Sequence, residues 1–386
     1  MKKHIITSQV KDLLNSQRLL DTLLWYLISL MLPADKHTQA NAEKISGKDN
    51  SLFSNLLNAD QDIAKLALSR ASRRAIKKIS KKRTLIERGS PWEVAIIIDA
   101  TLHRRASRHT QNSQRFNHGK GWVVGHQWSN IGLLINGQFI PLPPIPFYTK
   151  KYCKKNSIKY KTEHKKICSY LRTLSLKDLG LSIDPDKVVL LLDSGYDNKP
   201  LQNTIISRGW DFVVSLKCDR NISPKPGIWN RIDEYFKDGR RPWKSVRIIT
   251  YRGKKKKMRQ YRYKEQLGFL KGLRRQVKLV YSKKSGEAKS KFLASSNVHV
   301  SSKSIILIYR KRWAIEIFHR DIKSYLGMED AGVKSFKSLY NHVYWVYLAY
   351  ILLKERYPEM GIKWAQTKFD RENRQRELKE SLKILS

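Results

Sequence analysis

Two short apolar runs, each followed by an aspartate, constrain the fold of this chain more than any other feature. Residues 94–98 read VAIII and precede Asp99, and residues 188–192 read VVLLL and precede Asp193. Continuous runs of this length, rich in β-branched residues, are typical of strands buried on both faces of a sheet. Residues 121–128 and 131–137 are predicted as two further strands, interrupted at Ser129 and Asn130. With the helical stretches between them, these strands predict an α/β fold.

The charge of the chain restricts its partners. Lys and Arg number 77 against 33 Asp and Glu, a formal net charge of +44. Repulsion on this scale favours a polyanionic partner. A hydrophobic fraction of 41%, with 10 Trp and 18 Tyr, excludes a disordered basic tail as the description of the whole chain. We therefore expect a folded protein that binds nucleic acid.

Cysteine usage and hydropathy indicate the compartment. Cys153, Cys168 and Cys218 form neither a CxxC pair nor a zinc-binding spacing, which favours a reducing compartment over a disulfide framework. The first residues lack the apolar segment of a signal peptide. The longest apolar run, residues 19–32, contains Asp21 and is too short to span a membrane. We expect a cytoplasmic protein that does not enter membranes.

Composition and periodicity divide the chain into five predicted segments. Apolar spacing is helical at both ends, whereas turn formers separate short alternating runs in one internal segment. The predicted segments are residues 1–88 (an N-terminal helical DNA-binding domain), 89–217 (the first part of an α/β core), 218–290 (a β-rich basic insertion), 291–330 (the second part of the core) and 331–386 (a C-terminal helical region).

One predicted helix, over residues 301–326, gathers charged residues on a single stripe. At about 100° per residue, four polar side chains fall within an arc of about 60°, beside an apolar stripe. These residues are Tyr309, Arg312, Glu316 and Lys323. Asp321 falls on another side of the helix, so Glu316 is the better partner for the two strand-borne aspartates. A surface helix with an ion pair between Arg312 and Glu316 is the alternative interpretation.

The spacing Tyr309-x2-Arg312-x3-Glu316-x6-Lys323 resembles the Y-R-E-K signature of insertion-sequence-four-like bacterial transposases, which are DDE enzymes with an RNase H-like core. The segment IYRKRWAIEIFHRDIKSYLG resembles that family's glutamate region, and IIIDATLHRR and LLLDSGYDN resemble its two aspartate strands. The resemblance covers roughly residues 94–327. It implies an RNase H-like core interrupted by a mostly β insertion and flanked by N- and C-terminal helical regions.

The same resemblance implies that Asp99, Asp193 and Glu316 are the catalytic residues and metal ligands. Carboxylates can hold two divalent ions that serve phosphodiester cleavage. Hard oxygen ligands favour Mg²⁺, with Mn²⁺ as a substitute. Asp197 is the rival for the second position, and a capping role at the start of the next helix is the preferred prediction for it.

Further residues are predicted to bind DNA. By resemblance, Tyr309, Arg312 and Lys323 grip the strand near the scissile phosphate. The basic runs at residues 70–83, 150–166 and 254–264 are candidate tracks for phosphates. The residues singled out within them are Arg73, Arg74, Lys77, Lys78, Lys254, Lys255, Lys256 and Lys257. A solvated basic surface is the alternative for any one run.

Taken with the resemblance, these features predict a transposase that acts on double-stranded DNA as a homodimer, in the bacterial cytoplasm at the nucleoid. It is expected to bind terminal inverted repeats, cleave at the ends and join the 3′-hydroxyl ends to target DNA. A hairpin on the transposon end is one route, with Trp229 or Trp243 as a stacking platform unless both are core residues. An RNase H-like nuclease without strand transfer and a non-catalytic DNA-binding protein are the alternatives.

Overall fold

The computed structural model describes residues 12–14, 16–105, 109–117, 121–237, 241–252, 255–287 and 290–385. Within these residues, helices surround a 13-stranded mixed sheet. The helices are α1 (Gln17–Met31), α2 (Gln39–Ser46), α3 (Asn50–Leu57), α4 (Gln61–Ile79), α5 (Lys150–Lys155), α6 (Glu163–Thr173), α7 (Lys199–Ser207), α8 (Ile232–Lys237), α9 (Ser302–Arg310), α10 (Trp313–Ser324), α11 (Phe336–Arg356) and α12 (Ile362–Leu385). The strands are β1 (Val94–Arg104), β2 (Gln114–Asn117), β3 (Trp122–Ile135), β4 (Gln138–Pro141), β5 (Ile145–Pro146), β6 (Val188–Leu192), β7 (Asp211–Leu216), β8 (Asn221–Lys225), β9 (Ile228–Arg231), β10 (Lys244–Arg252), β11 (Lys255–Leu270), β12 (Gln276–Lys284) and β13 (Ser290–Ser295).

The two apolar runs form neighbouring parallel strands. β1 and β6 pair with Ile98 opposite Leu192, and β7 extends the parallel set beyond β6. Every residue of both runs is buried, as expected for strands covered by helices on both faces. On the other side of β1, β3 lies antiparallel, and β4 folds back onto β3. The predicted α/β class is confirmed, and the arrangement is consistent with an RNase H-like core.

Two strands are longer than the sequence predicts. β1 continues well past Asp99, and β3 runs without a break through Ser129 and Asn130. The predicted interruption is wrong because both polar residues are buried and hydrogen-bonded. Ser129 donates to Glu163, and Asn130 is bonded to His319. Asp99 therefore lies in the middle of a strand, directly opposite Asn130.

A tight turn joins β3 to β4. Asn136 and Gly137 have φ values of 50° and 75°, and positive φ at both positions is required for a type I′ hairpin turn. The Asn136 side chain accepts from the backbone of Thr84 and donates to the carbonyls of Ile79 and Lys82. These bonds attach the end of α4 to the core sheet.

The sheet continues from the core into residues 218–290. β13 pairs antiparallel with β7, and β12, β11, β8 and β9 follow in that order. The predicted β character of this segment agrees with these strands. At the start of β7, Asp211 accepts from Trp92 Nε1 at 2.9 Å and from Ser296 Oγ at 2.7 Å. This buried carboxylate holds β7 and the end of β13 together.

The N-terminal helices pack against α11. The Tyr26 hydroxyl lies 2.7 Å from His342 Nδ1, and the Arg74 guanidinium pairs with Glu355. Nearly all of α11 up to Leu353 is buried, as expected for a helix whose residues 343–353 are apolar or aromatic on all sides. Among the described residues, no helix has the length and hydropathy needed to cross a bilayer.

The predicted single helix over residues 301–326 is two helices. Ser301 caps α9 through its side chain, but regular helix stops at Arg310 and resumes at Trp313. Between them, the amides of Lys311 and Arg312 bond to carbonyls three residues earlier. Such bonds tighten a helical turn. The prediction of a continuous helix is therefore wrong at this turn. The angles around the helix axis that were predicted for residues before and after the turn cannot be compared directly.

Candidate active site

Asp99 and Asp193 lie at the same level of two neighbouring parallel strands, Asp99 within β1 and Asp193 directly after β6. Because β1 and β6 pair Ile98 with Leu192 in parallel, the aspartates that follow are adjacent in register. Each carboxylate accepts a hydrogen bond from the amide of the next residue, at 3.0 Å for Asp99 and 2.7 Å for Asp193. The carboxyl ends of parallel strands are where binding groups gather in α/β sheets.

Arg312 joins this pair to the helix that carries Glu316. Glu316 lies in the first turn of α10, and its carboxylate accepts from the Arg312 guanidinium. The same guanidinium lies 3.5 Å from Asp99 Oδ2. The Arg312 side chain is only 10% exposed, so water screens these charges weakly. Asp99 and Glu316 thus share one buried cation.

The pKa of Asp99 reports the electrostatic coupling of the three acids. Burial, opposed by Arg312 and reinforced by the negative charges of Asp193 and Glu316, raises the pKa of Asp99 to about 6. Burial lowers the pKa of Arg312, but the surrounding anions more than offset it and the net change is upward. The three carboxylates therefore act on one another although they come from separate chain segments.

This donor set suits a hard divalent cation. Carboxylate oxygens are the ligands that Mg²⁺ takes in proteins. A bound cation would offset the mutual repulsion of these carboxylates, which adds to the effect of burial on the pKa of Asp99. In the described part of the chain, no three acidic, histidine or cysteine side chains stand close enough together to hold an ion. Arg312 lies between Asp99 and Glu316 and partly neutralises both. Metal binding would require these carboxylates to turn toward a common point.

Tyr309 lies beside the same group. It is buried at the end of α9, with its ring centroid 6.0 Å from the Arg312 guanidinium carbon and 5.2 Å from Lys291 Nζ. Burial raises the pKa of Tyr309, while Arg312 opposes the rise and Asp193 adds to it. Tyr309 is therefore close to two of the predicted site residues despite the turn that separates α9 from α10.

Lys323 reaches a different part of β1. Its ammonium donates to the carbonyl of Leu102, which lies beyond Asp99 on the strand, and pairs with Glu329 at 3.3 Å. Lys323 therefore extends the basic surface along β1 and does not join the contact between Arg312 and Glu316.

Neither of the competing aspartates joins the acidic group. Asp197 accepts from Gln202 at 2.8 Å and pairs with Arg220 at 3.2 Å. The predicted capping role of Asp197 is wrong, because Asn198 is the N-cap of α7. Asp321 pairs with its neighbour Arg320, consistent with its placement on another side of the helix.

Glu163 is a fourth acid near the site that sequence reasoning missed. One of its oxygens accepts from the Tyr196 hydroxyl at 2.9 Å and from Ser129 Oγ at 2.8 Å. Burial, followed by the charges of Glu163 and Asp99, raises the pKa of Tyr196 well above its usual range. The position of Tyr196, three residues after Asp193, indicates in the sequence that it could lie near the site. Nothing in the sequence links Glu163 to Tyr196.

His319 connects the helix α10 to strand β3 through Asn130. Its Nε2 lies 2.6 Å from Asn130 Nδ2, and the Tyr347 hydroxyl donates to Asn130 Oδ1. Burial, with nearby Lys323 adding to the effect, lowers the pKa of His319 to about 3. The histidine is therefore neutral near pH 7 and links α10 to the strand opposite Asp99.

The basic residues predicted to bind DNA occupy different environments. Arg73, Lys77 and Lys78 are exposed on α4, whereas Arg74 pairs with Glu355 of α11. Lys254 lies outside the described residues. For Lys255, Lys256 and Lys257 the structure describes the backbone, which forms the start of β11.

Comparison with known proteins agrees with this arrangement. Residues 93–352 match the family described as transposase DDE domain. A segment of 61 residues is 33% identical to a probable transposase for insertion sequence element IS5377 from Geobacillus stearothermophilus. That similarity covers 16% of this chain and 16% of the relative. The family match spans Asp99, Asp193 and Glu316, and on its extent the chain belongs to the transposase DDE domain family.

Proposed function

We propose that the protein binds the terminal inverted repeats of its insertion sequence, cleaves the DNA at the ends and joins the freed 3′-hydroxyls to target DNA. The observation that carries this proposal is that Arg312 contacts both Asp99 and Glu316 beside the parallel strands that carry Asp99 and Asp193, in a protein of net charge +44. A protein that only binds DNA has no need of coupled acids where phosphates approach. We place its action in the bacterial cytoplasm, at the nucleoid.

Asp99, Asp193 and Glu316 are the residues that would hold divalent ions, with Mg²⁺ as the expected metal and Mn²⁺ as a substitute. When bound, two such ions supply an activated water and stabilise the leaving oxygen. Arg312 would move from the carboxylates to a DNA phosphate, because a guanidinium binds phosphate oxygens in a bidentate manner. The Tyr309 ring, at the end of α9, would help to hold the guanidinium in position.

DNA would approach along basic surface on more than one element. Arg73, Lys77 and Lys78 present exposed charge on α4, and Lys323 extends it along β1. Such contacts set the position and the salt dependence of binding rather than its sequence preference. Paired ends are expected to be held by a homodimer.

The hairpin route needs an aromatic platform for an unpaired base. Trp229 is the better of the two predicted candidates, because it is 45% exposed and lines a cavity of about 430 Å³ with Lys199 and Arg274. Trp243 instead packs against Tyr281, with Arg262 5.0 Å from its ring centroid. The route should be abandoned if cleavage of purified transposon ends never yields a covalently closed product.

The central experiment compares wild type with Asp99→Asn, Asp193→Asn and Glu316→Gln on DNA that carries the terminal repeats, with Mg²⁺. We expect each variant to lose cleavage and joining by several orders of magnitude while it still binds DNA. Asp186→Asn is the matched control, because this aspartate side chain is 71% exposed and lies outside the acidic group.

Cleavage and joining should be assayed separately, with pre-cut ends for the joining step. Loss of cleavage with retained joining in any of the three variants would contradict a shared site. Cleavage without any joining by the wild-type protein would favour a nuclease.

A further inference from the structure

Glu163 joins two chain segments that flank the acidic group, and the function proposed above gives it no role. One of its carboxylate oxygens accepts from Ser129 Oγ at 2.8 Å and from the Tyr196 hydroxyl at 2.9 Å. The other oxygen accepts from the side-chain amide of Gln127 at 2.7 Å. The three donors come from two places, strand β3 and the turn that follows Asp193.

On β3, the contact lies beside the strand that carries Asp99. In the antiparallel pairing of β1 and β3, Ser129 lies opposite Ala100 and Gln127 lies opposite Leu102. Ser129 is also buried, so its hydroxyl depends on a protein partner. The Glu163 carboxylate therefore holds the part of β3 that pairs with β1 directly after Asp99.

On the other side, the contact holds the turn after Asp193. The Tyr196 amide donates to the Asp193 carbonyl at 2.9 Å, and the Tyr196 side chain is buried. His164, the second residue of α6, contacts the same turn: its Nε2 lies 3.1 Å from the Gly195 carbonyl oxygen. The His164 ring also packs edge-on against Tyr196, with 5.8 Å between centroids. The first turn of α6 thus holds this segment at several points.

Glu163 acts from the face of the sheet that is opposite to α10. Successive side chains of a strand point to opposite faces, so Asn130 points away from the face on which Ser129 and Gln127 meet Glu163. Asn130 contacts His319 of α10, the helix that carries the third acid. An effect of Glu163 on the aspartates must therefore pass through the backbone of β3 and of the turn rather than through contact with DNA.

We infer that Glu163 is a positioning residue: by tying the turn after Asp193 to β3, it fixes the place of the Asp193 carboxylate relative to that of Asp99. The inference rests on the proposed function, because it concerns the divalent ions that these two carboxylates would hold. Residues that orient metal ligands typically change metal affinity by about 10- to 100-fold when they are replaced. We expect a loss of this size when the Glu163 side chain is removed.

Three variants separate the hydrogen bonds of Glu163 from its charge. Glu163→Ala removes the acceptor of all three donors and should show the full loss of metal affinity. Tyr196→Phe removes only the bond to the turn and should show part of it. Glu163→Gln keeps a carbonyl oxygen for the two hydroxyls, and Gln127 can turn its amide to accept from the new amino group. This variant should therefore bind metal nearly as wild type does.

Metal affinity is measured on the full-length protein bound to pre-cut transposon ends that lack a 3′-hydroxyl, so that joining cannot proceed. Mn²⁺ is the probe, and electron paramagnetic resonance reports the free ion during the titration. Separately, the Mg²⁺ concentration that gives half-maximal cleavage is determined on uncut ends. For Glu163→Ala, both the dissociation constant and this concentration should rise by about 10- to 100-fold. DNA binding in the absence of metal should not change.

Asp211→Asn is the matched control. Asp211 is also an acid that accepts from a hydroxyl and from a ring or amide nitrogen, but it pairs with Val189, at the other end of the parallel strands from Asp193. This variant should lower stability and leave the affinity for Mn²⁺ unchanged. An equal loss of affinity in Asp211→Asn and Glu163→Ala would overturn the inference, since general destabilisation would then explain both.

Two further results would also overturn it. Glu163→Ala could bind Mn²⁺ as tightly as wild type, or Glu163→Gln could lose as much affinity as Glu163→Ala, which would assign the effect to charge. If Glu163→Ala is insoluble, an unchanged affinity in Tyr196→Phe has the same consequence. Absence of Mn²⁺ binding by the wild-type complex would instead overturn the metal assignment of the proposed function, and this inference with it, so the two failures are distinguishable.

Discussion

The polar bridge at Asn130 should stabilise the position of the helix that carries Glu316. In Asn130→Ala, the Tyr347 hydroxyl and His319 Nε2 each lose a buried partner. A buried polar group without a partner costs about 1–3 kcal/mol, so we expect a loss of about 2–6 kcal/mol in the free energy of unfolding. Against a total of about 5–15 kcal/mol for a folded domain, this is a large fraction.

A double-mutant cycle tests the reasoning. Tyr347→Phe removes the hydroxyl that Asn130 binds. The double variant should therefore lose less free energy of unfolding than the sum of the two single variants, by about 0.5–3 kcal/mol. Urea unfolding should be followed by tryptophan fluorescence and by circular dichroism, which must give the same midpoint before a free energy is derived. Tyr350→Phe, on the same buried helix, is the control and should be additive with Asn130→Ala. Strict additivity of Tyr347→Phe would refute the bridge.

Three further outcomes are expected. Burial lowers the pKa of His126 and of His342 to about 4, whereas an unfolded histidine has a pKa near 6.5. The folded state therefore has its full stability above pH 6.5. The free energy of unfolding should fall by up to about 3 kcal/mol per histidine as the pH drops toward 4. Melting temperatures that do not change between pH 7.5 and pH 5 would contradict this. Asp211→Ala leaves an indole and a hydroxyl donor without their acceptor and should cost about 2–5 kcal/mol, measured as a lower urea midpoint. Gly125→Ala should prevent stable folding because the added Cβ would lie 2.0 Å from a backbone carbonyl oxygen, whereas Gly195→Ala meets nothing within 4 Å; equal solubility and melting of these two variants would contradict the crowding.

The features that were predictable from sequence are those with a local cause. The runs before Asp99 and Asp193 are apolar at every position, and burial on both faces requires that composition. The parallel pairing of β1 and β6 places the two aspartates next to each other, although β1 continues beyond Asp99. Asp321 was correctly separated from Glu316 because both lie on α10, where the angular spacing is regular.

The features that were missed depend on tertiary contacts. Glu163 approaches the site only because α6 packs beside the turn that holds Tyr196. Asn130 continues a strand because buried partners from α10 and α11 satisfy its amide. The turn at Arg312 interrupts a helix whose sequence has no Gly or Pro at that point, so angular positions extrapolated across it were unreliable.

The packing of the N-terminal helices on α11 has a consequence for the newly made chain. α1 and α4 emerge from the ribosome first, but the helix that covers their apolar residues begins only at Phe336. At about 5–20 residues per second, translation needs roughly 13–51 s between the end of α4 and the start of α11. During that interval the nascent chain displays basic and apolar surface together, and it lacks Glu316 until translation reaches residue 316. Products that terminate before residue 336 are therefore expected to need chaperones or to aggregate.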